Sequence, residues 1–362
     1  MSNQTANKFS SIRVALEKEI RWGRYKPKQR LPAEKQIAAQ FGVSYMTARR
    51  AVTELVEANL LVRHVGSGVY VSDNVPSSLT PQTVNIVCQF DDNTLTRSFL
   101  RIAARQCEEA GWNPDIIRYG ERTHEETLEA LRRSEPALVL ADNTDIHGAL
   151  GDAMHGSDGQ VVVIGNRLDQ FGVSSVLADD AQGIRLAVDH LIEHGHRRIA
   201  VVADNSETYI GSIRVRAWEQ SMQEHGLEAA PALRIAVTIP PHVCCVETGY
   251  AAVRRYLHES TTNRPTALIG FNDELSLGTM AACRDEGLAC PDKISIVCGC
   301  DSPQMAYGYP AVTCVDTDIE AHVQQALEMI RLRIAGQLAP DDRLRLVAPR
   351  LIVRESVGSP SD

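Results

Sequence analysis

Apolar positions recur along the chain with two different periods. Over residues 8–22, Phe9, Ile12, Leu16 and Ile20 fall on one stripe of a helix that Gly23 stops. Pro32 opens a second, shorter helix, Ala33 to Phe41, closed by Gly42. Ser44 is a good N-cap for a third, with Ala48, Ala51, Val52, Leu55 and Val56 on its inner face. The runs LLVRHV and VYVSD then flank Gly66-Ser67-Gly68, which predicts a β-hairpin about a glycine turn. From about Val84 the pattern changes. Short, continuously apolar runs (VNIVCQF, ALVLAD, QVVVIGN, RRIAVVAD, TALIGFND, ISIVCGCD) alternate with amphipathic stretches such as RSFLRIAARQCEEAGW and AQGIRLAVDHLIEHG. Strands apolar on both faces belong to a parallel sheet covered by helices on both sides.

The expected fold class is therefore α/β in two parts. Residues 1–72 form a winged helix-turn-helix, because two helices joined by a tight Gly-containing turn precede a hairpin wing. Residues 73–83 are polar, carry two prolines and show no periodicity, so they read as a linker. Residues 84–362 are long enough for a two-lobed, doubly wound parallel-sheet domain.

The net charge of −9 argues against a nucleic-acid partner until its distribution is considered. Residues 1–75 hold 12 Lys and Arg against 6 Asp and Glu, whereas the remaining chain holds 25 against 40. A basic head on an acidic body confines phosphate binding to one module. No apolar run approaches the roughly 20 residues needed to span a bilayer, and MSNQTANKFSSIR lacks the apolar core of a secretory signal. The expectation is a cytoplasmic protein with no membrane partner, whose nine cysteines are reduced thiols. Cys298/Cys300 and Cys244/Cys245 lack structural zinc spacing, and His190, His194 and His196 read as surface histidines, so no metal is expected. G-x-G-x-x-G, Walker, G-x-S-x-G and H-E-x-x-H motifs are all absent, so neither a catalytic residue nor a cofactor is assigned.

On the third helix the outer face carries Tyr45, Thr47, Arg49 and Arg50, while Ser67 sits at the wing tip. Adjacent residues on a helix cannot both enter a groove, so Arg49 is favoured over Arg50. Gly23-Arg24-Tyr25-Lys26-Pro27, Arg30-Leu31-Pro32-Ala33-Glu34, Phe41-Gly42-Val43-Ser44, Thr47-Ala48-Arg49-Arg50-Ala51 and Gly66-Ser67-Gly68-Val69-Tyr70-Val71 together resemble the GntR family of winged-helix regulators across residues 9–71. The resemblance implies contact with double-stranded operator DNA at Lys35, Ser44, Tyr45, Thr47, Arg49 and Gly66. Tyr45 departs from the Arg often found there. Glu34 reads as a cap of the second helix or a brace for Arg49.

Sites in open parallel sheets lie beyond the carboxyl ends of the strands. Those ends are polar here: Asp91-Asp92, Asp142-Asn143, Asn166-Arg167, Asp204-Asn205, Asn272-Asp273 and Asp301. Carboxylates and amides in such number suit a polyhydroxylated ligand, and Arg214 could add a planar fork of donors. Asp179-Asp180-Ala181-Gln182-Gly183, His190 through Ala200, Arg214-Val215-Arg216-Ala217-Trp218, Asn272 through Gly278 and Leu351 through Ser356 resemble the effector domain of the LacI/GalR family, which has the periplasmic-binding-protein-like fold. The resemblance implies effector contacts at Arg214, Asn272, Asp273 and Asp301, with Asp91, Asp92, Asn166 and Arg167 less closely matched. Asn93-Thr94-Leu95-Thr96 replaces the family's Asn-Pro-Phe-Phe, removing a pocket aromatic, and Ala217 stands where Gly is usual. Asp179 or Asp180 reads as the N-cap of a helix beginning at Ala181, and Trp218 as core.

A GntR-type reader joined to a LacI-type sensor resembles the arabinose-repressor type of regulator. That resemblance implies a homodimer, built through the C-terminal domain, that a small sugar effector releases from DNA. A nucleoside or purine effector, a solute-binding protein without regulatory role and an enzyme are the competing readings.

Overall fold

In the computed structural model, the Ser44 side chain accepts a hydrogen bond from the Thr47 amide and so starts the third helix of the N-terminal module. The structure describes residues 28–64, 67–73, 83–89, 94–119, 136–141, 160–204, 209–238, 245–260, 264–334, 337–339 and 341–360, together with single positions from 12 to 25 and residues 131 and 154. The module contains α1 (Glu34–Gln40), α2 (Tyr45–Glu57), β1 (Leu61–His64) and β2 (Gly68–Val71). Within the first predicted helix the described positions Ile12, Arg13, Leu16, Glu17 and Ile20 are helical. Its apolar stripe meets Ile37, Val52 and Leu55 in one buried cluster. α1 is shorter at both ends than its periodicity suggests. Ala33 keeps extended backbone, with its amide donating to Gln36 Oε1 at 3.0 Å, and so precedes the helix. Strands β1 and β2 pair antiparallel as the wing, and residues 28–31 lie along β2 through amide bonds from Lys28 to Val71 and from Leu31 to Val69.

The α/β part contains two six-stranded sheets. The first runs in the order β13-β7-β6-β5-β3-β4, built from β3 (Thr83–Gln89), β4 (Asn113–Tyr119), β5 (Ala137–Leu140), β6 (Val161–Ile164), β7 (Ser174–Ala178) and β13 (Leu344–Val347). The second runs β14-β12-β11-β10-β8-β9, built from β8 (Ile199–Asp204), β9 (Arg234–Val237), β10 (Ala267–Gly270), β11 (Ser295–Cys298), β12 (Thr313–Asp316) and β14 (Arg350–Ile352). Four-residue strands such as β5, β6, β10 and β11 are buried at every position, as their unbroken apolar runs require. The edge strand β14 departs from the parallel expectation, pairing antiparallel with β12. The helices are α3 (Thr94–Ala110), α4 (Asp180–Glu193), α5 (Tyr209–Glu224), α6 (Cys245–Glu259), α7 (Asp273–Asp285), α8 (Pro303–Ala306) and α9 (Ile319–Ile334). None among the described residues is long and apolar enough to cross a membrane.

Asp179 caps α4, accepting from the Gln182 amide at 2.9 Å, so the helix begins at Asp180, one residue before the expected start. Trp218 is fully buried in the core of the second sheet. Two of the histidines read as surface residues are buried instead. His190 lies on the buried face of α4, and His196 is enclosed by the strand ends. His196 Nε2 lies 2.9 Å from the Gly358 carbonyl and from Ser295 Oγ, and Nδ1 lies 2.9 Å from Thr266 Oγ1. A carbonyl can only accept, so Nε2 carries the proton and Nδ1 accepts from Thr266 in the neutral ring. Those partners satisfy the imidazole, which is why it tolerates the interior. The eight described cysteines are free thiols.

Candidate functional site

The first candidate surface is the outer face of α2 with the adjacent wing. α2 buries Ala48, Ala51, Val52 and Leu55, which turns Tyr45, Met46, Arg49 and Arg50 to solvent. Ser44 Oγ, besides capping the helix, lies 2.7 Å from Thr47 Oγ1. Lys35 on α1 and Arg49 on α2 are exposed and have no protein partner among the described residues. Arg50 differs: its Nε stands 3.8 Å from Glu54, one turn along the same helix. Ser67 is exposed at the wing turn, 2.6 Å from the Tyr70 hydroxyl, whereas Gly66 lies outside the described residues. Glu34 neither caps α1 nor braces Arg49. Its carboxylate accepts from the Tyr45 hydroxyl at 3.0 Å and from Arg63 Nη2 at 2.7 Å, tying α1, α2 and β1 together. Sequence reasoning missed Arg63, which is exposed in strand β1 although alternation places it on the same face as the buried Leu61.

The second candidate is a cavity of about 290 Å³ in the α/β part. Its floor is the carboxyl ends of β8, β10 and β11, and Thr94, Leu95 and Ser98 of α3 form the opposite wall. Arg214, Asn272, Asp273 and Asp301 all line it. Arg214 Nε and Nη2 both stand 2.7 Å from Asp180 Oδ1, while Nη1 donates to the Phe271 carbonyl. Burial pulls the Arg214 guanidinium down, but Asp180 beside it more than offsets this and holds it above its ordinary range. Asn272 is the N-cap of α7, accepting from the Leu275 amide at 2.8 Å, and Asp273 Oδ1 accepts from the Glu274 amide at 3.1 Å. Arg354 clamps Asp301 through both carboxylate oxygens, at 2.8 and 3.0 Å. The Cys300 thiol also faces the cavity. Its hydrogen bond with Cys298, reinforced by burial, raises it well above the ordinary thiol range, so it stays protonated.

Asn166 and Arg167 are not brought to this cavity's lining. Asn166 Oδ1 accepts from the Arg167 amide, and the exposed Arg167 side chain is held by Asp169 at 3.0 Å and by Tyr209. Asp91 and Asp92 lie outside the described residues. Glu274, Ser302 and Ser98 line the cavity without having been singled out in the sequence. Leu95 occupies part of the stretch that lost the aromatic and supplies apolar surface instead.

Known proteins share both halves of this arrangement. Residues 9–71 match the family of bacterial regulatory proteins, gntR family, and residues 188–357 match the periplasmic binding protein-like domain. The chain is 28% identical to the arabinose metabolism transcriptional repressor of Geobacillus stearothermophilus, over 98% of its own length and 99% of the relative's. It is 29% identical to the transcriptional repressor PurR of Klebsiella pneumoniae over 51% of each chain. A regulatory protein of the LacI family from Chloroflexus aggregans shares the fold with a TM-score of 0.65 at 23% identity, covering 76% of this chain and 98% of that one. The chain thus joins a gntR-family winged helix-turn-helix to a periplasmic-binding-protein-like domain, and it is homologous to arabinose metabolism transcriptional repressors and to LacI/GalR regulators.

Proposed function

We propose that the chain is a cytoplasmic transcriptional repressor that binds a two-fold operator as a homodimer and is released by a sugar or sugar derivative. One observation carries this reading: full-length similarity to a repressor of arabinose metabolism, in a chain whose Arg214, Asn272, Asp273 and Asp301 line one cavity. Lys35, Ser44, Tyr45, Thr47, Arg49 and the Gly66-Ser67 wing are the proposed DNA contacts, with Arg50 on their rim. Arg214, Asn272, Asp273 and Asp301 are the proposed effector contacts. Asn166 and Arg167 join them only if an effector extends beyond the cavity, and Asp91 and Asp92 are further proposed contacts.

The mechanism follows from linkage. An effector alters operator affinity only by preferring one arrangement of the effector domain, and the coupling is reciprocal. Half-sites on a two-fold operator sit about one helical turn apart or a multiple of it, so a change in the spacing of two recognition helices changes affinity for both halves together. A purine effector is the second reading, supported by the similarity to PurR.

Operator fragments selected from random DNA, measured by fluorescence anisotropy with and without L-arabinose, other pentoses, hexoses, disaccharides and purines, test the proposal. A sugar that weakens operator binding agrees with it. Sequence-independent binding, or a purine as the compound that shifts affinity, refutes the corresponding half. Sedimentation should give a dimer, whose loss with retained operator affinity would remove the homodimer from the proposal.

A further inference from the structure

Tyr45 is the first residue of α2 and stands 39% exposed beside the N-cap Ser44. An arginine at this position would bring donors only, whereas a phenol brings one O–H and an oxygen that can also accept. Which of the two a phenol offers outward depends on where its proton goes. Here the proton is already committed, because the Tyr45 hydroxyl donates to Glu34 Oε2 at 3.0 Å. A carboxylate can only accept, so the direction of this bond is fixed.

Glu34 is itself held in place. Its other oxygen accepts from Arg63 Nη2 at 2.7 Å, across from a strand 29 positions further along the chain. The ion pair compensates a carboxylate that would otherwise repel phosphates from this surface. The Glu34 side chain is only 13% exposed, so the group left facing outward is the Tyr45 oxygen with its lone pair free. Arg49, one turn along the same outer face, is the opposite case. Its guanidinium has no protein partner among the described residues and carries donors only.

Base edges in the major groove differ in the same property. Guanine presents two acceptors there, thymine a carbonyl and a methyl group, and cytosine and adenine each present an exocyclic amine. An oxygen whose proton is spent on Glu34 meets a carbonyl with lone pair against lone pair, and both lose water for nothing. It meets an amine with a hydrogen bond.

We infer that Tyr45 reads the exocyclic amine of a cytosine or adenine in the operator, its oxygen accepting, and that Glu34, held by Arg63, sets this polarity as a positioning residue. The inference rests on the operator-binding reading proposed above, with Tyr45 among the contacts, and adds which base edge that contact selects.

The test uses the full chain and an operator fragment selected from random DNA, with fluorescence anisotropy as the readout. Single adenines and cytosines are replaced by analogues lacking the exocyclic amine. Single purines are replaced by deaza analogues lacking the groove-facing ring nitrogen, and single thymines by uracil. Each fragment is measured with wild type and with Tyr45→Phe, which keeps the ring and deletes only the hydroxyl. The double-mutant cycle cancels whatever an analogue does to the duplex itself. At one position of each half-site, loss of the amine should weaken wild type roughly three- to tenfold and Tyr45→Phe less than about twofold. Glu34→Ala frees the hydroxyl proton, so fragments with guanine or thymine at that position should bind nearer to the selected one. Random DNA should still bind this variant as well as wild type or better, which shows that the module is folded. Arg63→Ala should weaken operator and random DNA by a similar factor.

Coupling of Tyr45 to a ring nitrogen or a thymine methyl instead of an amine overturns the inference, and so does coupling to no base at all. A Glu34→Ala protein that rejects guanine and thymine as strongly as wild type also overturns it, as does an Arg63→Ala protein of undiminished affinity. If no sequence is enriched from random DNA, the operator-binding reading itself falls.

Discussion

Asp180 holds Arg214 against the cavity wall, its Oδ1 standing 2.7 Å from both Nε and Nη2 of the guanidinium. The two side chains are 8% and 14% exposed, so each charge depends on the other for its solvation. Removing one partner of such a pair strands the other charge. Asp180→Asn should therefore lower stability by roughly 3–5 kcal/mol, as read from urea unfolding. It should also weaken effector binding, because the freed guanidinium leaves its fixed orientation. A stability within about 0.5 kcal/mol of wild type would show that the pair is dispensable.

The two neighbouring arginines of α2 should separate in a gel-shift assay. Arg49 is exposed without a protein partner among the described residues, whereas Arg50 stands 3.8 Å from Glu54. Arg49→Ala is expected to abolish discrimination between operator and random DNA. Arg50→Ala should weaken both kinds of binding by a similar, smaller factor and flatten the salt dependence, as a phosphate contact does. Equal effects from the two variants would contradict this division of roles.

Gly278 lets α7 approach α6 closely. A Cβ there would meet the Tyr250 amide nitrogen at 2.6 Å and would also strike the Val246 carbonyl, both backbone atoms that cannot swing aside. Gly278→Ala normally favours a helix interior. In this position it should cost about 1–3 kcal/mol, seen as a lower urea midpoint with an unchanged slope.

Acid should destabilise the α/β part through three histidines. Burial holds His190, His196 and His322 below the ordinary imidazole range, and the bonds of His196 to Gly358 and of His322 to Asp318 only partly offset it. Each therefore binds its proton less readily in the folded chain than in the unfolded one. Their contribution is fully present above the unfolded value of about 6.5 and is lost as the pH falls through the lower folded values. The urea midpoint should drop between pH 7.5 and pH 5, and His196→Gln should flatten that drop while lowering stability at pH 7.5. A midpoint independent of pH across this interval would contradict the assignment.

Local rules account for the parts of this protein that were legible in its sequence. Unbroken apolar runs gave β5, β6, β10 and β11, because a strand buried on both faces has no polar position to spare. Ser44 and Asp179 cap α2 and α4 as expected, since a cap bonds an amide only two or three residues away. The cavity's place at the strand ends followed from the same regular alternation of strand and helix, while the choice of Arg214, Asn272, Asp273 and Asp301 along it came from the resemblance to the LacI/GalR effector domain. Tertiary structure decided the rest. His196 reads as a surface residue beside Gly195 and Arg197, yet it is enclosed by partners 70, 99 and 162 positions away. Glu34 was paired with the wrong neighbour because Arg63 reaches it only once the wing has folded back. Ser302 stands at the N-cap position of α8, yet its buried hydroxyl finds no hydrogen-bond partner there. Periodicity and capping act over a few residues and are written in the chain itself. Whether a polar group is satisfied depends on what distant segments bring to it, and only the assembled fold determines that.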